Sequence, residues 1–230
     1  LEDLRVGVKE GIIRDAISKA FEKDVKEIED AFNLTVDYGE VAKLAKENKL
    51  KNIDIKVGRP AKLMLSVLVT NVEEGFEALG ETIQAEFKLD GFRIQAHKDS
   101  KGTIKLFTRR MEEVTKQFPD VVEFVKKNVR GEKFIIDCEA VGIDGKTGKY
   151  LPFQSISQRI RRKYDIEEIA KKFPVELNIF DILYLDGKNL MNSSLLERRK
   201  ILEKIVKEKK GEVVLTKKLI SKDLKEIRSF

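Results

Sequence analysis

The sequence predicts an all-α segment over residues 1–56, followed over 57–230 by an α+β domain with a mostly antiparallel sheet. Three observations carry this. Apolar residues recur at helical spacing through residue 50. Gly58 and Pro60 then punctuate a short extended stretch, where the boundary is placed. Beyond residue 60 the period changes, and runs with strand alternation appear.

The elements follow in order. Leu4, Val8, Ile12, Ile13, Ala16, Ile17 and Ala20 keep helical spacing, and Val25, Ile28, Ala31 and Phe32 continue it. Asp37 is placed to cap a helix through Val41, Leu44 and Ala45 that ends near Asn48. Asn71 with Glu74 has the form of a capping box, and Gly80 stops the short helix it opens. Strands are expected over Ile83–Lys88, Phe92–His97 and Thr103–Thr108, then a helix over Phe118–Val129 with Pro119 in its first turn. Phe134–Ile143 reads as a long strand. Asp165 with Glu168 opens a helix that ends before Pro174, and Val175–Leu185 is an apolar strand. Ser194 with Glu197 opens a helix through Ile205, Val213–Thr216 is a short strand, and Ser221 starts a last helix.

Composition bounds the chemistry. Of 230 residues 41% are hydrophobic, enough to bury a core, and 37% are charged, well above the usual quarter or so. Lys and Arg number 46 against 40 acids, and the resulting +6 suits a polyanionic partner as it suits many solvated surfaces. Abundant Lys and Glu, one Cys and no Trp fit a thermophile. Cys138 and His97 are the only residues of their kinds. That excludes an internal disulfide, a cysteine zinc cluster and a multi-histidine metal site. No stretch approaches the ~18 apolar residues of a membrane span, and no signal peptide precedes Leu1, so an intracellular protein is expected. The chain opens with Leu and stops at Phe230 inside a helical pattern, and it reads as a fragment.

The candidate chemistry centres on Glu86-Phe87-Lys88-Leu89-Asp90-Gly91-Phe92-Arg93. Lys-x-Asp-Gly alone is a weak signal, because Asp-Gly between alternating runs is the usual hairpin turn. Ile143-Asp144-Gly145 and Leu185-Asp186-Gly187 show the same turn logic. The flanking Glu86 and Arg93 shift the reading toward a site. A lysine amine is a nucleophile only when uncharged, and burial or a neighbouring cation favours that state. Arg93, five residues on across a tight turn, is placed to reach phosphate oxygens and to help hold Lys88 neutral. On their own, Glu139 reads as a solvated strand residue and Phe180, among Leu177, Ile179, Ile182 and Leu183, as core. Arg109-Arg110 and Arg159, Arg161, Arg162 and Lys163 read equally as a solvated face or as phosphate contacts. His97 reads as non-catalytic and Cys138 as a small, partly buried residue.

Lys88-x-Asp90-Gly91-x-Arg93 resembles the nucleotidyltransferase signature shared by DNA ligases, RNA ligases and mRNA capping enzymes. Further segments resemble the archaeal and eukaryotic ATP-dependent DNA ligases in order. Phe134-Ile135-Ile136-Asp137-Cys138-Glu139 resembles their third motif, with Cys138 in place of the common Gly. Asn178 to Gly187 resembles the motif that stacks an aromatic on adenine. Gly58-Arg59-Pro60 to Met64-Leu65 resembles the lead-in to the adenylation domain, and Phe107 to Asp120 the segment that follows its signature. Leu4 to Val8 and Asn33 to Gly39 resemble the end of a helical DNA-binding domain.

The resemblance implies the end of that DNA-binding domain over 1–56 and a partial adenylation domain over 57–230, incomplete at its C-terminus. It implies that Lys88 takes AMP from ATP, that Glu86 reads the adenine amino group, and that Arg93 contacts ribose and phosphate. Glu139 would lie near ribose and a metal, with Mg²⁺ expected. Phe180 would lie under the base, and Arg109 at the phosphate or DNA end. The implied partner is nicked double-stranded DNA, with a sliding clamp a partner of the intact protein, and an archaeal source implies a cytoplasmic protein. The family's later Glu-Gly-hydrophobic-x-Lys motif and OB-fold domain are not found, and Lys217, Lys218, Lys222 and Lys225 do not match that motif. The fragment is therefore expected to seal nicks poorly. An RNA ligase or capping enzyme is disfavoured by the helical segment, and an NAD⁺-dependent ligase by the lack of its nicotinamide segment and zinc cysteines. A non-catalytic DNA-binding module is the alternative of a different class.

Overall fold

Aspartates set the first helices. Asp24 accepts from the backbone N–H of Lys26 at 2.7 Å and starts α2 (Val25–Thr35). Asp37 accepts from Gly39 at 2.8 Å and Glu40 at 3.1 Å and starts α3 (Tyr38–Lys46). With α1 (Glu10–Phe21), they bury Ile17, Ile28, Phe32, Val41 and Ala45 against one another. This computed structural model describes residues 10–62, 64, 66–160, 162 and 164–230. The segment Leu4–Val8, Leu65, Arg161 and Lys163 lie outside the described residues.

The chain divides into units 1–63 and 64–230, where composition suggested a boundary after residue 56. The intervening stretch is tied to the first unit by side chains. Arg59 pairs with Glu40 and Asp37, and Lys56 with Glu40 at 3.2 Å. The Lys62 N–H donates to the Asn33 carbonyl at 2.9 Å, and its ammonium lies over the Phe32 ring.

In the second unit, α4 (Val72–Leu79) starts at Asn71, which accepts from the Glu74 N–H at 2.8 Å, and stops at Gly80 with φ +98°. The strands are β1 (Ile83–Glu86), β2 (Phe92–Lys98), β3 (Ile104–Thr108), β4 (Phe134–Gly142), β5 (Val175–Leu185), β6 (Lys188–Asn189), β7 (Val213–Leu215) and β8 (Lys218–Ser221). Helices α5 (Pro119–Asn128), α6 (Ser157–Ile160), α7 (Ile166–Lys172), α8 (Leu195–Ile205) and α9 (Leu224–Ser229) complete the unit. β1 pairs only with β8, as a separate two-stranded sheet. The larger sheet runs β3-β2-β4-β5-β6, with β7 on β5. Among the described residues every strand pairing is antiparallel except β5–β7.

Alternation sorts the central strands. Ile94, Ala96, Ile136, Cys138, Ala140, Leu177 and Ile179 enter the core with Val121 and Val125 of α5 and Leu202 of α8. The opposite face of the same strands carries Arg93, Gln95, Asp137, Glu139 and Asn178. No helix among the described residues is long and apolar enough to cross a membrane.

Several expectations are corrected. β1 ends at Glu86, and because β1 and β2 lie in different sheets, Asp90-Gly91 is not a hairpin turn. Asp186-Gly187 is one: φ of +45° and +97° join β5 to β6. Ser221 ends a strand, and α9 is capped by Asp223 instead. Asp165 precedes α7 in the left-handed region, and its side chain makes no capping bond. Cys138 is fully buried rather than partly so, and its thiol donates to the Ile94 carbonyl at 3.0 Å.

Candidate active site

Several separate pieces of chain converge on one cleft of about 750 Å³ in the second unit. Glu86 at the end of β1 and Lys88 in the loop after it form one wall with Arg93 of β2. Glu139 of β4, Phe180 of β5 and Arg109 just past β3 also line it, with Phe153, Asp181, Arg198 and Thr216. All six residues singled out in the sequence thus line the same cleft.

Lys88 is exposed, and its Nζ lies 3.5 Å from the Leu89 carbonyl oxygen. The loop that presents it is pinned at Asp90, whose carboxylate accepts from the Phe153 N–H at 3.1 Å. Gly91 then presses its backbone against β4: a Cβ there would stand 2.6 Å from the Ala140 carbonyl oxygen and 2.8 Å from Glu139 Cγ. The glycine is needed for this close approach rather than for a turn. Glu139 lies opposite Arg93 in the β2–β4 register. Its carboxyl is held above the usual range by burial, with Lys88, Arg93 and the Gly91 N–H pulling the other way.

Arg93 does not point at Lys88's loop alone. Its Nη2 donates to Oδ2 of Asp137 at 2.9 Å, and its guanidinium lies 5.1 Å from the centre of the Phe180 ring. Asp137 is completely buried, and desolvation raises its pKa against the pull of Arg93. Arg93 Nε and Asp137 Oδ1 are buried with no hydrogen-bond partner among the described residues.

Phe180 reaches the cleft by alternation: Leu177 and Ile179 turn inward, so Phe180 shares the outer face of Asn178. Asp137 pairs with Asp181 and Cys138 with Ile179, so Phe180 has no partner on β4. The extra residue puts Asp181 beside Phe180 on the cleft side, and Ile182 then resumes the inward positions. Next to it, Asp181 takes a two-pronged contact from Arg198 of α8, Nε to Oδ1 at 2.7 Å and Nη2 to Oδ2 at 3.0 Å.

Glu86 has a 28% exposed side chain. Burial raises its pKa, opposed by the Thr216 hydroxyl, Arg199 and Gln84. Asp137, Asp181, Arg198, Arg199 and Thr216 were not among the candidates. A signal existed for the arginines: Arg198, Arg199, Leu202 and Val206 share helical spacing, so both should meet buried partners.

Arg159 belongs to neither reading offered for its basic run. It is 1% exposed, holds both carboxylate oxygens of Asp120, donates to the Phe173 carbonyl at 3.0 Å and stacks over Phe118. His97 is 1% exposed, with its Nε2 2.9 Å from the Gln95 amide oxygen. No group of three or more His, Cys, Asp or Glu able to hold a metal ion occurs among the described residues.

The sequence profile described as the ATP dependent DNA ligase domain matches residues 63–230. The chain is 49% identical over 233 aligned positions to the DNA ligase of Nanoarchaeum equitans, covering 100% of this chain and 41% of that protein. It is 45% identical to the DNA ligase of Methanopyrus kandleri over 98% of this chain and 41% of that protein. It is 40% identical to the DNA ligase of Thermococcus fumicolans over 100% of this chain and 41% of that one. The chain therefore spans about two fifths of the length of these relatives. A match across most of the second unit, and relatives of this identity aligned through both units, make the chain a member of the ATP-dependent DNA ligase domain family.

Proposed function

We propose that this chain supplies the nucleotide-accepting step of a DNA ligase, with Lys88 as the group that takes AMP. The observation that carries it is the single cleft lined by Glu86, Lys88, Arg93, Arg109, Glu139 and Phe180. Lys88 Nζ attacks the α-phosphorus of ATP, the N–P bond forms as the P–O bond to pyrophosphate breaks, and the amine's proton leaves to solvent. In the intact protein AMP passes from Lys88 to the 5′-phosphate at a nick, and the 3′-hydroxyl then displaces it. The first unit fits the end of a helical DNA-binding domain, and the second a partial adenylation domain.

Each side chain has a task in this reading. The adenine lies on Phe180, whose ring also has the Arg93 guanidinium 5.1 Å from its centre. Glu86 accepts from the exocyclic amino group. Arg93, held by Asp137, meets ribose and phosphate oxygens, and Arg109 meets the phosphate or the DNA end. Lys88 is exposed in the cleft, so its Nζ is open to an entering nucleotide. A Mg²⁺ ion commonly sits on one or two carboxylates plus substrate phosphates. Glu139, a carboxylate in the cleft, fits that role. Such an ion offsets phosphate charge when bound.

The test is label transfer from α-³²P-ATP to the intact polypeptide. A covalent adduct that disappears in Lys88→Ala is expected. An adduct that survives that change would end the assignment of Lys88.

A further inference from the structure

Glu86 is held both from its own strand and from outside it. Its Oε1 accepts from the Thr216 hydroxyl at 3.1 Å and from Gln84 Nε2 at 2.8 Å. Thr216 lies immediately after β7 and is itself gripped by α8. Arg199 Nη1 donates to Thr216 Oγ1 at 2.9 Å, Nη2 donates to the Thr216 carbonyl, and Nη1 stands 3.8 Å from Glu86 Oε1. The hydrogen bonds therefore run in one sense, from guanidinium to hydroxyl to carboxylate. Thr216 is 6% and Arg199 3% exposed. Behind them, Glu203 takes Arg199 Nε at 3.6 Å and Lys218 at 2.6 Å, and Lys218 is the register partner of Glu86 on β8.

From this chain of contacts we infer that Thr216 and Arg199 are positioning residues that aim Glu86 at the base and make the cleft prefer a nucleotide with an exocyclic amino group. The inference rests on the reading of Glu86 as the base-facing acid. A carboxylate only accepts, so it pairs with an amino group and is repelled by a carbonyl oxygen in the same place. A carboxylic acid can donate to that carbonyl and loses the distinction. Burial drives Glu86 toward the acid form, and Asp181 adds to the drive. Thr216, Arg199 and Gln84 oppose it, while Lys218 is engaged by Glu203. Removing the hydroxyl or the guanidinium both frees the side chain to rotate and tilts it toward protonation.

The experiment compares Thr216→Val, Thr216→Ser and Arg199→Met with the intact parent protein, with ATP and inosine triphosphate as donors for adduct formation on Lys88. Inosine triphosphate carries a carbonyl oxygen where ATP has the amino group. Thr216→Val and Arg199→Met are expected to raise KM for ATP about tenfold, the order of one charge-assisted hydrogen bond, with kcat within about twofold. The preference for ATP over inosine triphosphate falls by a similar factor, and the acid limb of the ATP profile moves to higher pH. Thr216→Ser keeps the hydroxyl and stays near the parent. Thr216→Val is nearly isosteric and carries the test if Arg199→Met does not fold. Unchanged KM, or equal losses for both donors with a lowered melting temperature, would reduce the relay to a scaffold and overturn the inference. Label retained by Lys88→Ala is a different failure, since it removes the reading on which the inference stands.

Discussion

Gly91 and Asp137 show how much of this site depends on single atoms. A methyl group at Gly91 would meet the Ala140 carbonyl oxygen and Glu139 Cγ well inside contact distance, and backbone in a paired strand cannot yield. Gly91→Ala is expected to cost about 1–3 kcal/mol of stability and to slow adduct formation by displacing Glu139. Thermal unfolding and label transfer check both, and an unchanged rate would mean that Glu139's place is not critical. Asp137 raises a different question, because a buried ion pair stabilises little yet is costly to break. Arg93→Met leaves the Asp137 carboxylate buried without its partner, at about 3–5 kcal/mol. Adding Asp137→Asn removes that stranded charge. The double variant should regain most of the lost stability and none of the adduct formation. Recovery of both together would make Arg93 a structural residue only.

At the scale of elements, the alternation of β5 and the cap of α8 both shape the cleft. Phe180 stands outside the core, so Phe180→Ala should leave the melting temperature nearly unchanged. It should weaken ATP binding about tenfold or more, the order of one aromatic–base stack. Calorimetric titration with ATP measures it, and a large loss of stability with unaltered affinity would return Phe180 to the core. α8 opens with a reciprocal cap: Ser194 accepts from the Glu197 N–H at 3.3 Å, and Glu197 accepts from the Ser194 N–H at 2.9 Å. Arg198 and Arg199 sit one turn later, so fraying here reaches both Asp181 and Thr216. Ser194→Ala is expected to cost about 1 kcal/mol, read by denaturant unfolding.

For the whole molecule, pH enters stability through buried groups of opposite sign. His97 is held neutral by burial, its pKa lowered to about 3 from 6.5. The unfolded chain then binds the proton first. The contribution of His97 is fully present above 6.5 and drains away as pH falls toward 3, by up to about 1.4 kcal/mol per pH unit. Glu86, Asp137 and Glu139 have raised values, so each contributes stability below its free value that is lost as pH rises. Those carboxyls are common to the parent and to His97→Gln, so the difference between the two isolates the histidine. The parent's melting temperature should fall more steeply than the variant's between pH 6.5 and 5. Parallel curves would show that His97 accepts its proton in the folded state.

The sequence by itself determined most helix starts, because a cap needs only a side chain and the N–H groups two or three residues on. Asp37, Asn71 and Ser194 all act where their spacing placed them, as Asp165 does not. It also determined the two faces of β2 and β4, since alternation alone separates Ile94 and Cys138 from Arg93 and Glu139. The order of the motifs named the candidate residues of the cleft. Tertiary structure decided what those residues touch. Whether Asp90-Gly91 turns a hairpin depends on which strand β1 pairs with, and that partner, β8, lies over a hundred residues away. Asp181 joins Phe180 on the cleft side because of one unpaired residue in a register set by β4. Arg199 reaches Glu86 only because α8 packs beside the end of β7. Pairing and packing join positions far apart in the chain, and no local pattern of residues encodes them.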